Sequence, residues 1–214
     1  MKKGLTELVF ILDRSGSMGG LESDTIGGYN STLDKQRSIE GDVTVTTVLF
    51  DNEYELLHDR ADIRGIAPLT ESDYFVRGST ALIDAIGLTI GKIENAQKHT
   101  LEAMRPERTL FVITTDGMEN ASRRYTAKQV RRMIEERREC GWEFLFLGAN
   151  IDAVETARQY GIPEDRACRY KSDRAGTKLN YECVTAAITD FRASQPISRS
   201  WKASIEEDVA KRGV

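Results

Sequence analysis

Apolar runs alternate with helix-like patterns along most of the chain, which is typical of a parallel sheet covered by helices on both faces. Several runs are apolar at consecutive positions, as expected for central strands that are buried on both sides. A short segment after Asp51, at residues 54–57, is predicted to be an antiparallel edge strand. The predicted parallel strands span residues 8–12, 43–50, 110–114 and 142–147, with a short one at 167–170.

Apolar residues at helical spacing predict the covering helices between these strands. Thr126 and Gln129 form a capping-box pattern before the third helix, Asp152 begins a further one, and the last covers residues 179–191. Residues 59–78 carry Pro68 and two glycines, so we predict a long surface loop there. The apolar stripes that define the first three helices are Ile26, Tyr29 and Leu33; Leu82, Ile86, Ile90 and Ile93; and Val130, Met133 and Ile134.

The predicted fold class is therefore α/β: a doubly wound, Rossmann-like, three-layer α/β/α arrangement with a mostly parallel sheet and one antiparallel edge strand. A length of 214 residues favours one domain. We assign residues 1–194 to that domain. Residues 195–214 are predicted to be a C-terminal tail docked on the same domain, with Trp201 and Ile205 as its contact points.

Charge and cysteine content limit the classes of function. A net charge of -4 disfavours a nucleic-acid binder, which needs a concentrated basic face. No stretch approaches the roughly 20 apolar residues of a membrane span, and residues 8–12 are too short for a signal-peptide core. Cys140, Cys168 and Cys183 lie far apart and are predicted to be reduced, mostly buried thiols. The expectation is a cytoplasmic protein that binds neither nucleic acid nor membrane.

Oxygen-bearing side chains cluster where predicted strands end. Asp13, Ser15 and Ser17 follow the first strand, and alternate residues of an extended segment point the same way. Asp116 follows the third long run, at the same edge of a parallel sheet, and Thr80 stands in a loop that leads into a helix. The purely structural alternative is that Ser17 or Ser23 caps a helix, that Ser79 or Thr80 caps another, and that Asp116-Gly117 is an ordinary turn.

A set made of Asp13, Ser15, Ser17, Thr80 and Asp116 offers only hard oxygen ligands with two formal charges. Such a set fits Mg²⁺ or Mn²⁺ held near octahedrally with some water retained. Two carboxylates merely balance the ion, so it stays electrophilic. A position taken by water is then one that an Asp or Glu of a partner protein could occupy.

The segment Asp13-Arg14-Ser15-Gly16-Ser17, with Thr80 and Asp116-Gly117, resembles the metal-ion-dependent adhesion site of von Willebrand factor A domains. The resemblance covers roughly residues 5–191. It implies that the serine and threonine hydroxyls coordinate the cation and that the aspartates act directly or through water. The chain also resembles the small single-domain bacterial members of the family, which implies intracellular protein contacts.

Three functions stay open at the level of sequence. The first is a metal-dependent module that binds a carboxylate of a partner protein, and the second is a scaffold whose metal is structural and whose partner binds elsewhere. The third is a metal-dependent phosphatase or hydrolase with Asp13 as nucleophile, which is disfavoured because Ser15 stands where a second acid is expected and no nucleophile–base pair is visible. We therefore expect no enzyme. Four other polar residues fall near the same edge without an assigned role: Asn52, Glu119, Asn150 and Asp152.

Overall fold

A computed structural model of the chain describes residues 1–212. It contains one six-stranded sheet with the strand order β3-β2-β1-β4-β5-β6. All neighbouring strands pair in parallel except β3, which runs antiparallel to β2 at one edge. The strands are β1 (Lys2–Asp13), β2 (Val43–Phe50), β3 (Tyr54–Asp62), β4 (Pro106–Thr115), β5 (Glu143–Gly148) and β6 (Ala167–Arg169).

Helices cover both faces of this sheet. One face packs against α1, α5 and α6, and the other packs against α2, α3 and α4. The result is the predicted three-layer α/β/α architecture, which the structure confirms. The helices are α1 (Glu22–Arg37), α2 (Leu82–Lys98), α3 (Ala127–Glu139), α4 (Ala153–Gln159), α5 (Arg174–Arg192) and α6 (Ala203–Arg212).

Strand β1 shows how the sheet separates two cores. Phe10 and Leu12 face the core on the α1 and α5 side, whereas Val9 and Ile11 face the core under α2 and α3. Successive residues of a strand point to opposite faces, and helices cover both faces of this sheet, so all four side chains are buried. A strand buried on both faces loses the polar alternation of a surface strand, which explains the continuous apolar run in the sequence.

Four elements are longer than the sequence predicts, among them β4, which begins at Pro106 instead of residue 110. Strand β1 begins at Lys2 instead of residue 8, and β3 continues to Asp62, into the predicted surface loop. The continuation of β3 needs an irregular register, and Arg60 adopts a positive φ of 48° there. Helix α5 begins at Arg174 instead of residue 179, because the Asp173 carboxylate caps it by accepting the N–H of Gly176 at 2.8 Å.

The predicted tail contains helix α6, and its residues 213 and 214 lie outside the described part of the chain. Trp201 and Ile205 are buried in the core on the α1 and α5 side. The Trp201 indole N–H donates to the carbonyl of Asp165 at 2.9 Å, and the buried Lys202 ammonium donates to the carbonyls of Glu164 and Ala167, each at 2.9 Å. The division at residue 194 stays a prediction.

The cysteine prediction is partly wrong. Cys168 is buried and Cys183 is half-buried, but Cys140 is exposed, because it follows the last turn of α3 at the surface. Burial raises the pKa of the Cys168 thiol to about 12, so that residue stays a neutral thiol at neutral pH. Across residues 1–212, no helix combines the length and the apolar character that crossing a membrane requires.

Replacing Trp201 by Ala tests how firmly the tail is docked. We expect a loss of about 3–5 kcal/mol in the free energy of unfolding, because the indole leaves a cavity in the core and Asp165 loses a hydrogen bond. Urea unfolding followed by circular dichroism measures it. Leu101→Ala is the matched control, since that side chain is 79% exposed and its loss should cost under about 0.5 kcal/mol. Equal stability of the two variants would contradict docking.

Candidate metal centre

The order of the strands places the candidate residues in a crevice at one end of the sheet. Strands β1 and β4 are neighbours, but the chain continues from β1 to β2 on one side and from β4 to β5 on the other. The loops that follow β1 and β4 therefore diverge, and a crevice opens between them at the carboxyl ends of the strands. Asp13 is the last residue of β1, and Asp116 directly follows β4.

Asp13 is 1% exposed and is held by two hydrogen bonds. Its Oδ1 accepts the backbone N–H of Ser15 at 2.7 Å, and its Oδ2 accepts the hydroxyl of Thr115 at 2.6 Å. The buried hydroxyl of Tyr74 donates to the backbone carbonyl of Asp13. The carboxylate is thus fixed in orientation from the loop that follows it and from β4, and the backbone of Asp13 is held from the 63–81 connection.

Three hydroxyl groups meet beside this carboxylate. The Oγ atoms of Ser15 and Ser17 are 3.1 Å apart, and the Thr80 hydroxyl donates to Ser15 Oγ at 3.0 Å. Gly117 approaches the same point closely: a Cβ added there would lie 2.8 Å from Ser17 Oγ and 3.0 Å from Thr80 Oγ1. A side chain at position 117 would therefore displace the hydroxyls of Ser17 and Thr80.

Thr80 reaches this point because its loop is tied to both neighbours. The N–H of Gly16 donates to the carbonyl of Gly78 at 3.2 Å, which joins the loop to the segment after β1. The N–H of Thr80 donates to Asn120 Oδ1 at 2.9 Å, which joins it to the segment after β4. Segments far apart in sequence are therefore locked into one cluster.

Asp116 is 1% exposed, like Asp13, but it is less fully hydrogen-bonded. The Ser172 hydroxyl, from the loop before α5, donates to Asp116 Oδ2 at 3.3 Å. Asp116 Oδ1 is buried and has no hydrogen-bond partner within residues 1–212. An unpaired buried carboxylate oxygen is costly and needs an explanation, and a bound cation is one that would provide it.

Burial disfavours the charged form of both carboxyl groups. It raises the pKa of Asp13 from 3.8 to about 6, although the hydrogen bonds from Thr115 and Ser15 act in the opposite direction and nearby Asp116 adds a smaller increase. Burial also raises the pKa of Asp116, opposed by the hydroxyls of Ser17 and Ser172. Two carboxylates held out of water at one place attract a positive charge strongly.

Two arginines that pair with the buried Asp51 hold the segment after β1 in place, and the sequence did not predict this network. The guanidinium of Arg14 is fully buried, and its Nε donates to Asp51 Oδ2 at 2.9 Å while Nη1 lies 2.7 Å from Glu55 Oε2. Arg77 also binds Asp51 Oδ2, at 2.7 Å, and the partly exposed Phe75 ring lies over both guanidinium groups. The only signal in the sequence was an arginine directly after a buried strand, which is an unusual place for one.

Three of the four polar residues without an assigned role have structural contacts. Glu119 accepts the N–H groups of Ile83, Ala121 and Ser122, so it caps α2 and the loop after β4. Asp152 caps α4 through the N–H of Glu155 at 2.9 Å. Asn52 Oδ1 lies against Gly78, and Asn150 stands in a turn with φ of 50°.

The donor set fits a hard divalent cation. Within residues 1–212, no group of three or more His, Cys, Asp or Glu side chains is placed to hold a metal ion. The cluster instead combines two carboxylates with three hydroxyls, and oxygen-only sets of this kind suit Mg²⁺ or Mn²⁺ better than softer metals. The structure brings together all five predicted side chains, and their role as ligands stays a prediction.

Comparison with solved structures identifies the fold. Over 85% of this chain, a von Willebrand factor type A protein from Catenulispora acidiphila superposes with a TM-score of 0.57 and 17% identity. Proximal thread matrix protein 1 from the mussel byssus, solved with a zinc-occupied MIDAS motif, also superposes over 85%, with a TM-score of 0.57 and 15% identity. Manganese-loaded Plasmodium vivax TRAP protein superposes over 84%, with a TM-score of 0.56 and 16% identity.

This chain spans less than half the length of the first two proteins, 42% and 45% respectively, and 73% of the third. No protein-family profile matches the sequence, and no curated protein matches it. The strand order, the antiparallel edge strand and the superpositions together show that the chain has the von Willebrand factor A fold. The sequence-based prediction of that fold is confirmed.

The raised pKa of Asp13 predicts a distinctive pH dependence of stability in the presence of a chelator. Folding favours the protonated carboxyl, so its contribution is favourable below the unfolded pKa near 3.8 and is lost as pH rises to about 6. Asp13→Asn removes this contribution and keeps the contacts to Ser15 and Thr115 possible. Between pH 3.5 and pH 7, the free energy of unfolding of the wild type should fall by roughly 3 kcal/mol relative to that of the variant.

Urea unfolding in EDTA at a series of pH values measures this difference, and groups common to both proteins cancel from it. Parallel profiles of stability against pH for the two proteins would show that ionisation of the Asp13 carboxyl does not destabilise the fold.

Proposed function

We propose that this protein is a metal-ion-dependent protein-binding module. Its cation is Mg²⁺ or Mn²⁺, which coordinates a carboxylate of a partner protein and is held by Asp13, Ser15, Ser17, Thr80 and Asp116. The observation that carries the proposal is the meeting of two buried carboxylates and three hydroxyls at one point, beside an unpaired Asp116 oxygen. The bound cation supplies an electrophilic position for an incoming carboxylate oxygen.

The residues of the chain divide this work. Asp13 and Asp116 supply the negative charge, and the hydroxyls of Ser15, Ser17 and Thr80 supply neutral oxygens that leave the cation under-neutralised. Thr115, Ser172 and the N–H of Ser15 orient the two carboxylates. Ser17 is exposed, so the centre faces solvent on the side from which a partner can approach.

Two of the similar solved structures support a divalent cation, but they contain different ones and so do not identify which cation binds this chain. The mussel protein was solved with zinc in its MIDAS motif, and the Plasmodium protein was solved loaded with manganese. The all-oxygen donor set of this chain favours Mg²⁺ or Mn²⁺. A cytoplasmic location in a bacterium belongs to the same proposal. It is supported by the three free cysteines within residues 1–212 and by the resemblance to small bacterial members of the family.

We propose that the chain is not an enzyme. If Asp13 were the nucleophile of a phosphatase, a second acid would be expected two residues later, and Ser15 stands there. His58 contacts Tyr29 and Thr47, and His99 contacts the carbonyl of Asn95, so neither is engaged as a base at the centre. The scaffold function with a purely structural metal remains the competing hypothesis, and the carboxylate experiment below separates the two.

Gly117→Ala tests the cation site without removing a ligand. The backbone of Gly117 lies outside the left-handed region, so Ala is tolerated there, but its methyl group would lie between the hydroxyls of Ser17 and Thr80. Isothermal titration of Mg²⁺ and Mn²⁺ into chelator-stripped wild type should show one saturable site. The variant should bind at least about tenfold more weakly.

Gly27→Ala is the matched control, because nothing lies within 4 Å of a Cβ at that helical position. It should bind the cations as the wild type does. Equal affinity of the wild type and Gly117→Ala, or no binding to either, would refute the proposed centre.

A short peptide with one glutamate tests the partner chemistry. With Mg²⁺ present, the peptide acetyl-Gly-Glu-Gly-amide should shift the NMR signals of the segments around Asp13 and Asp116, and the Gln analogue should not. EDTA and the Gly117→Ala variant should each abolish the shifts. If Mg²⁺ binds but the Glu and Gln peptides behave alike, the metal is structural and the scaffold hypothesis is correct.

A further inference from the structure

A groove opens beside the candidate metal centre on the side of the loop after β4. It has a volume of about 580 Å³, and a second cavity of about 430 Å³ adjoins it and shares Asn52, Asp84 and Arg124 with it. We call the larger one the arginine groove. It is defined by Asn52, Ser79, Asp84, Asn120, Arg123 and Arg124.

The arginine groove and the candidate metal centre share a wall. Ser79 directly precedes Thr80, whose hydroxyl belongs to the centre. Asn120 accepts the N–H of Thr80 at 2.9 Å through its side chain and donates its own N–H to the Thr80 carbonyl at 3.0 Å. A peptide with one side chain at the centre can therefore place a neighbouring residue over the groove.

The loop that carries the two arginines is held rigidly. The Asp84 carboxylate, in the first turn of α2, accepts the backbone N–H groups of Arg123, Arg124 and Tyr125 at 2.7–2.8 Å. The Tyr125 ring packs on Gly87, where a Cβ would lie 2.6 Å from it. The backbone of the arginine pair is thus fixed before any partner arrives, which lowers the entropic cost of binding.

Arg123 and Arg124 differ from the other arginines near the centre in having no acidic partner. Both are exposed, and within residues 1–212 neither forms an ion pair. Arg77, in contrast, is bound to Asp51 and Glu53. The acidic group that lines the groove is Asp84, whose oxygens accept backbone N–H groups, and Glu53, in the adjoining cavity, is paired with Arg77.

We propose that the arginine groove binds acidic residues next to the metal-binding carboxylate of the partner, so that the partner site is a short acidic protein segment and not an isolated Asp or Glu. The inference rests on the proposed function. A guanidinium group pairs with a carboxylate through two parallel hydrogen bonds, which gives orientation as well as attraction. Two of them beside a cation select a segment with several negative charges.

Two fluorescein-labelled peptides test this inference with the full chain and 5 mM Mg²⁺. Both have a Gly-Ser background; one carries a single Glu, and the other carries four consecutive Glu. Fluorescence anisotropy should show that the four-Glu peptide binds the wild type about fivefold more tightly or better, because two exposed ion pairs are added. The difference should shrink from 50 to 300 mM NaCl, because salt screens exposed charges.

The variant Arg123→Glu with Arg124→Glu should lose the preference for four Glu but keep the wild-type affinity for Mg²⁺ and for the one-Glu peptide. Its matched control is Arg131→Glu with Arg132→Glu, which makes the same change of charge on the exposed face of α3, where both arginines pair with glutamates. This control should keep the preference.

The outcomes separate the inference from the proposed function. Magnesium-dependent binding of the one-Glu peptide without a gain from four Glu, or a gain that survives in Arg123→Glu/Arg124→Glu, overturns the inference alone. Failure of both peptides to bind in the presence of Mg²⁺ overturns the proposed function and the inference with it. If a peptide with one Glu beside a phosphoserine gains more affinity than the four-Glu peptide, the groove is a phosphate site and the proposal of an acidic segment is overturned.

Discussion

The burial of two carboxylates side by side is the constraint on which the rest of the site depends. Asp13 and Asp116 are each 1% exposed, and moving a carboxylate out of water is expensive unless partners compensate for it. Thr115, Ser172 and the Ser15 N–H compensate in part, yet burial still raises the pKa of both groups. The remaining deficit is what makes the crevice suited to a cation, because a positive charge there relieves both carboxylates at once.

The fold creates this constraint by its topology. A change in the direction of strand order between β1 and β4 opens the crevice, and strands buried on both faces hold its floor rigid. Arg14 pairs with Asp51 and Glu55 below the loop, so the segment after β1 is anchored to β2 and β3 as well. Truncating one member of such a buried pair leaves an uncompensated charge, which ties the stability of the edge hairpin to the geometry of the crevice.

Periodicity and strand ends were sufficient to predict the three-layer fold and the grouping of five oxygen-bearing residues. What the sequence could not predict depends on contacts between distant segments. Thr115 and Ser172 look like ordinary polar residues until β4 and the loop before α5 are placed beside the carboxylates. Glu119 fell near the edge without a role, and its function as a cap for α2 depends on the path of the loop after β4. The start of α5 was missed because its first turn is polar and is set by the Asp173 cap.

The wide sequence separation of the clustered residues has a consequence for the order of folding. Asp13 is bonded to Thr115, and Asp116 is bonded to Ser172, so the centre joins parts of the chain more than 100 residues apart. Contacts of such long range form late in folding, because closing a long loop costs chain entropy before those contacts can stabilise the structure. During vectorial synthesis, the segment after β1 emerges long before the strands that complete it. If all five proposed ligands are needed, cation binding would report that a nascent chain has been synthesised past Asp116 and has folded, and earlier intermediates would lack the complete surface for a partner.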